Sequence, residues 1–132
     1  MSDAPILVTG ATGYIARHVV AQLLDAGHTV RGTARSTKSL DQLQADLAPH
    51  LADRTAMERF SLVAADLTSD AGWAEAVAGC EYVHHVASPI PSAPPKDPND
   101  LIVPAREGTL RVLRAALAAG VRRVVVTSSV AA

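Results

Sequence analysis

Gly10 and Gly13, three positions apart in "ILVTGATGYIARHVV", stand where backbone alone could hold an anion. Gly10 lets the chain turn sharply out of an apolar run, and Gly13 removes a side chain where a pyrophosphate must approach the amides. The N–H groups at the start of the helix that follows, at Tyr14 and Ile15, attract the negative charge. Such a junction suits a diphosphate, although the same glycines in isolation would also serve an ordinary strand-to-helix turn. The third small position of the spacing is Ala16, where the pattern more often has glycine, and one methyl is compatible with close helix-to-strand packing. A second group that can do chemistry closes the next apolar run, where "VRGTARSTK" presents Arg35 and, nearby, Lys38 in place of an acidic residue. A carboxylate there would bond a ribose 2′-hydroxyl, whereas a guanidinium makes paired bonds to a 2′-phosphate and a lysine adds a flexible point charge. The pair therefore points to NADP(H) over NAD(H), against the plain alternative of two surface cations. Arg31 falls within the strand and is expected to be structural. His84 and His85 are adjacent in a strand and face opposite sides, and no Cys, His or carboxylate cluster accompanies them, so they are expected to be packing residues and no metal site is expected. No Gly-Lys-Ser/Thr loop follows the first strand, which sets aside a kinase or ATPase.

These groups need elements to position them. The 132 residues, 48% hydrophobic and with one cysteine, suit one compact domain that buries a core without disulfides. A formal charge of −1 and a 3% aromatic content argue against a nucleic-acid surface and for a small-molecule partner. "MSDAP" runs straight into a strand and no apolar stretch approaches membrane-spanning length, so a cytoplasmic protein that binds no membrane is expected. Residues 5–9 form a short apolar run, and Ile15, Val19 and Leu23 then recur at helical spacing up to Gly27. "HTVRGTA" is the second strand, and Ser36 or Ser39 can cap a helix whose Leu40, Leu43 and Leu47 share a face. "RFSLVAAD" predicts a third strand, Trp73 and Val77 mark a short helix over about 70–79, and "EYVHHVA" is the fourth strand. "SPIPSAPPKDPND" holds five of the eight prolines and reads as a long surface loop. A helix from about residue 99 carries Leu110, Leu113 and Leu117 on one stripe and ends at Gly120, before "RRVVVTSS" as the fifth strand. Alternation of this kind implies right-handed crossovers, a Rossmann-type doubly wound parallel α/β sheet in order 3-2-1-4-5, and ligands beyond the carboxyl ends of the strands.

With "TG" before it and "GYIA" after it, the glycine spacing resembles the extended short-chain dehydrogenase/reductase superfamily, also called the NAD-dependent epimerase/dehydratase family. "HTVRGTARS", "VAADLTSD", "AGCEYVHHVASPI", "DLIVPAREGTLRVLRAA" and "VRRVVVTSSVAA" are similar to the branch of dihydroflavonol 4-reductases, cinnamoyl-CoA reductases and carbonyl reductases. The resemblance implies an N-terminal domain that binds NADP(H) and a smaller C-terminal part that shapes the substrate pocket. It places Asp66 at the adenine amino group with the Leu67 amide near a ring nitrogen, although Asp66 could equally be a helix-preceding cap. It places Val86, Ala87 and Ser88 beside the cofactor ribose, and Thr127 near the cofactor. It also implies that Ser129, at the end of the fifth strand, polarises a substrate carbonyl while the tyrosine of a Tyr-x-x-x-Lys pair donates a proton. Tyr14 is followed four places on by His18 and Tyr82 by Val86, so the 132 residues contain no such pair. The expectation is therefore an incomplete dinucleotide-binding domain over 1–132 of a carbonyl reductase, ending before the helix that would carry the pair and before the substrate part. A non-catalytic module that senses NADP(H) and an NAD-dependent sugar-nucleotide epimerase or dehydratase stand as alternatives.

Overall fold

A computed structural model describes residues 3–131 of the chain. Five strands, β1 (Ile6–Val8), β2 (Val30–Ala34), β3 (Phe60–Ala64), β4 (Tyr82–His85) and β5 (Arg123–Val126), form one sheet in the order β3-β2-β1-β4-β5. Every pairing is parallel, as the alternation of strand and helix requires. Val8 pairs with both Gly32 and His84, so the carboxyl ends of the three central strands come out side by side.

The helices α1 (Tyr14–Asp25) and α2 (Leu40–Leu47) cover one face, and α3 (Trp73–Val77) and α4 (Asn99–Ala118) cover the other. On the first face Val8, Val20, Leu24, Val30, Leu43 and Leu47 close a core, and on the second Leu7, Trp73, Val77, Val83 and Val112 close another. Each such side chain contributes about 1.5–3 kcal/mol by leaving water. Two arginines finish the helix ends. Arg31 Nη1 donates to the Ala76 and Ala78 carbonyls at the end of α3 at 2.8 and 2.7 Å, and Arg59 Nη2 donates to the Leu24 carbonyl of α1 at 2.6 Å. The structural role expected for Arg31 is the one observed. No helix among the described residues is long and apolar enough to cross a membrane.

Two helix faces differ from their expected stripes. In α1 the fully buried residues are Ala16, Val20, Ala21 and Leu24, while Ile15 is exposed and Val19 and Leu23 pack only partly. In α4 they are Gly108, Val112 and Ala116, while Leu113 and Leu117 point outward, Leu117 at 82% exposure. The reason is distance. At Gly108 an added Cβ would already lie 3.0 Å from the Leu67 side chain, so small residues face the sheet and the larger leucines are displaced to the flank. The short helix is also shorter than expected, because Gly72 takes φ +88° just before Trp73 and any Cβ there would collide with the Ala64 carbonyl oxygen. The proline-rich stretch is irregular as far as Pro98, and its last two residues, Asn99 and Asp100, already belong to α4. The fifth strand ends at Val126, so Thr127, Ser128 and Ser129 lie beyond it.

The burial pattern leads to a contrast that an equilibrium urea titration can read. Leu24→Ala is expected to cost about 3 kcal/mol by opening a cavity under α1, whereas Leu117→Ala stays within about 0.5 kcal/mol. Comparable losses for the two would place the leucine stripe of α4 in the core after all.

Candidate functional site

The chain leaves β1 through a turn that three neighbouring strands hold in place. Gly10 takes φ +64°, a conformation that side chains rarely adopt, and a Cβ there would approach the Ala87 Cβ to 2.8 Å. Its N–H donates to the Thr33 hydroxyl at 3.0 Å, and the N–H of Ala11 donates to the Thr33 carbonyl at 2.8 Å, which fastens the turn to β2. On the other side the buried Thr9 hydroxyl accepts the N–H groups of Val86 and Ala87, both at 3.0 Å, which fastens the chain leaving β4. Both threonines and His85, whose Nδ1 lies 2.9 Å from Thr9 Oγ1, are fully enclosed. These three shape the site although sequence reasoning did not select them as site residues. The signal was faint: two hydroxyls flanking a glycine turn within apolar strands, and a histidine read only as packing.

Gly13 is different in kind. It has an ordinary extended conformation, φ −72° and ψ 158°, is exposed, and a Cβ there would meet only the Gly10 carbonyl oxygen, at 3.3 Å. That contact is tight but milder than the one at Gly10, and the exposed side of the bare backbone leaves room for something outside the chain. Gly13 is also the N-cap of α1, where no side chain caps the helix and no acidic residue occupies the first turn. Tyr14 and Ile15 follow, 71% and 58% exposed, so large apolar surface flanks a positive helix end. A dinucleotide fits this donor set: backbone amides and a helix dipole for the pyrophosphate, with exposed apolar surface beside it.

The remaining expected residues line the same edge of the sheet. Arg35 is exposed at the end of β2 and Asp66 follows β3, and the Ala65 N–H donates to the Ala34 carbonyl between them at 2.9 Å. Thr68 donates both its N–H and its hydroxyl to Asp66 Oδ1, at 2.9 and 2.8 Å. These two bonds hold the Asp66 carboxyl below the usual carboxylate range; burial opposes them, and the positive charges of Arg35 and Arg111 add smaller lowering effects. The carboxylate thus closes a local turn on Thr68 and does not cap a helix, because the N-cap of α3 is Gly72, with no side-chain cap. Leu67 is buried in the second core beside Trp73, whose indole N–H donates to the Asp66 carbonyl at 3.0 Å and pins that loop. Lys38 is exposed on a 3-10 turn over Thr37–Ser39, where its own N–H donates to the Ser36 hydroxyl; Ser36, rather than Ser39, is the side chain that caps. Val86 and Ala87 are half-buried and Ser88 is exposed. The Thr127 N–H donates to the His85 carbonyl at 3.0 Å, and the exposed Ser129 hydroxyl accepts the Ala131 N–H at 3.1 Å. The structure thus brings Gly10, Ala87 and Thr33 into contact and sets Arg35 beside Asp66, while Lys38 and Ser129 stand at the periphery.

His84 and His85 point to opposite faces, as their adjacency requires, and burial alone pushes both imidazoles below their usual range. Among the described residues no three His, Cys, Asp or Glu side chains are grouped to hold a metal ion.

Residues 6–132 match the NAD dependent epimerase/dehydratase family. The chain is 40% identical over 129 residues to a dihydroflavonol 4-reductase of Hordeum vulgare, covering 97% of this chain and 35% of the relative. It is 41% identical over 133 residues to cinnamoyl-CoA reductase 1 of Petunia hybrida, covering 100% and 37% respectively. Among solved structures it is similar to Gre2 of Candida albicans in complex with NADPH, with TM-score 0.81 and 32% identity over 97% of this chain and 38% of that one. Yeast methylglyoxal/isovaleraldehyde reductase Gre2 with NADPH gives TM-score 0.79 and 29% identity over the same shares. The chain spans a little over a third of the length of these relatives.

Removing the hydroxyl that carries the Gly10 turn tests the geometry directly. Thr33→Val leaves a buried N–H without a partner and is expected to lower unfolding free energy by about 1–3 kcal/mol, with Thr33→Ser recovering most of it. A Thr33→Val chain as stable as the parent in chemical denaturation would mean that the turn is held by other contacts.

Proposed function

Because the chain belongs to the NAD dependent epimerase/dehydratase family, we propose that it is the NADP(H)-binding part of a reductase that converts a ketone or aldehyde to an alcohol. The observation that carries this reading is Gly13: an exposed, unstrained, side-chain-free N-cap at the helix end beside β1, with Arg35 in place of a carboxylate at the end of β2. The names of the relatives and the NADPH of the Gre2 structures support it.

The pyrophosphate would lie against the amides at Gly13, Tyr14 and Ile15, the 2′-phosphate against Arg35 with Lys38 in reach, and the adenine against Asp66 and the Leu67 amide. Val86, Ala87, Ser88 and Thr127 would flank the ribose and nicotinamide end. When bound, the cofactor supplies the hydride. Ser129 accepts an N–H from Ala131, which leaves its own proton for a carbonyl oxygen. Arg35 sits opposite an anionic ligand at a solvent-exposed place, where a charged hydrogen bond to phosphate contributes about 1.5–3 kcal/mol. The NAD-dependent reading is the outcome that the following titration separates.

In calorimetric titration the parent chain is expected to bind NADP more tightly than NAD, and Arg35→Asp to lower NADP affinity by roughly tenfold to a hundredfold with little change for NAD. Equal affinity of the parent for both dinucleotides would overturn the NADP assignment. Loss of absorbance by NADPH in the presence of a panel of aldehydes and ketones reads the chemistry. The 132 residues hold no Tyr-x-x-x-Lys pair, so the chain alone lacks a positioned acid worth typically about 10²–10⁴-fold and is expected to give no turnover. Turnover that vanishes in Ser129→Ala would show that the proton comes from a group within this chain.

A further inference from the structure

The Thr9 hydroxyl has three partners. The N–H groups of Val86 and Ala87 donate to Oγ1, and Nδ1 of His85 lies 2.9 Å away. A hydroxyl oxygen that accepts two N–H bonds still has its one proton to give, so Nδ1 accepts that proton and the imidazole carries its hydrogen on Nε2. His85 is neutral in this arrangement. Adding a proton at Nδ1 would set N–H against O–H, and the Thr9 hydrogen would have to turn away while the new donor competes for the oxygen that Val86 and Ala87 already use. What those two amides position is close at hand, because Ala87 is the wall against which Gly10 turns.

We propose that Thr9 and His85 are positioning residues forming an acid-sensitive clip, which holds Val86 and Ala87 against the Gly10 turn while the imidazole is neutral and weakens dinucleotide binding when it is protonated. The binding half of the proposal rests on the dinucleotide reading above. No charge compensates a proton on this ring. His84 faces the other side of the sheet, into an open trough that Arg123 also lines. From α4, Arg106 pairs with Glu107 and Arg111 pairs with Asp70, and Glu75 of α3 is exposed. Among the described residues none of these moves the His85 equilibrium, which burial alone depresses from its ordinary 6.5. The sign follows. The neutral form is favoured by folding, so the clip is intact above the unfolded value and is lost as pH falls through the lower folded one.

The test uses the full chain. In the ¹⁵N-labelled parent, His85 is expected to show a protonated Nε2 and a bare Nδ1 near neutrality, and the Val86 and Ala87 amide signals should shift together with the imidazole as pH falls. Amides that stay still while His85 titrates would overturn the clip, with no variant required. NADP is then titrated at about pH 7.5 and about pH 5 into the parent and into His85→Asn, whose side-chain oxygen can accept from Thr9 and does not ionise. The ligand phosphate and every other ionisable group are common to both proteins, so the difference isolates His85. The acid-induced rise in Kd is expected to be larger in the parent than in His85→Asn, by a factor that the depressed folded value keeps below about thirtyfold at that pH. Equal rises in the two would sink the proposal. A parent that binds no NADP at either pH, with amides that nevertheless follow His85, would overturn the dinucleotide reading and the binding half with it, leaving the clip itself standing.

Discussion

The structure depends on one close approach: Gly10, turning at φ +64°, presses against Ala87 where β1 and β4 end together. Neither strand can leave the sheet by another route without losing backbone bonds, since the Thr33 hydroxyl takes the Gly10 N–H and the Thr9 hydroxyl takes those of Val86 and Ala87. Each is a partly buried donor, and leaving it without a partner would cost up to about 1–3 kcal/mol. Because the sheet is parallel, all strands end on the same side, and whatever this turn presents lies beside the ends of β2 and β4, with those of β3 and β5 next outward. Local backbone satisfaction and the placement of the site are therefore one arrangement.

The charged groups divide by what they face. Arg31 and Arg59 turn toward helix carbonyls and complete the ends of α3 and α1, where hydrogen bonds otherwise run out. Arg111 joins Asp70 and the Leu67 carbonyl, fixing the loop after β3. Arg35 meets no helix end. It stands exposed beside an Asp66 carboxyl whose Oδ1 is already occupied by Thr68, so its positive field reaches solvent at the same edge as the uncapped start of α1. Two positive features converge on one strip of surface while Arg31, Arg59 and Arg111 are spent on the fold, and this partition supports the proposed anion site there.

How much of this the sequence could reveal follows from the physics of each level. Strand and helix alternate with clear punctuation by glycine and proline, so element order and sheet order were legible, as were the glycine turn and the place of Arg35 at the end of β2. The buried faces of α1 and α4 were less so. A periodicity of large apolar residues selects Ile15 or Leu117, but the sheet side of a closely packed helix favours small residues, and Ala16, Ala21, Gly108 and Ala116 carry little hydrophobic signal. Thr9, Thr33 and His85 were harder still. A buried threonine in a strand has the same pattern as a β-branched core residue, and its role appears only when the amides of a distant strand arrive at its oxygen.

The site is made mostly of backbone, and this decides which changes it can absorb. Side chains such as Tyr14, Ile15, Lys38 and Ser88 are exposed, and their replacement leaves the sheet and its turns intact. Gly10, and Gly32 beneath Ala11, have no such latitude, since an added Cβ would come within 2.8 Å of Ala87 and 2.6 Å of Ala11. Ala11 itself is wholly enclosed and bonds to Thr33, so a collision at Gly32 would be transmitted to the Gly10 turn without any exposed residue having changed. Gly13 is the least constrained of these small positions: it is exposed, its φ is negative, and an added Cβ would press only on the Gly10 carbonyl oxygen, at 3.3 Å. Two glycines of one motif are thus held to different degrees, Gly10 by its positive φ and its contact with Ala87, Gly13 only by a backbone oxygen.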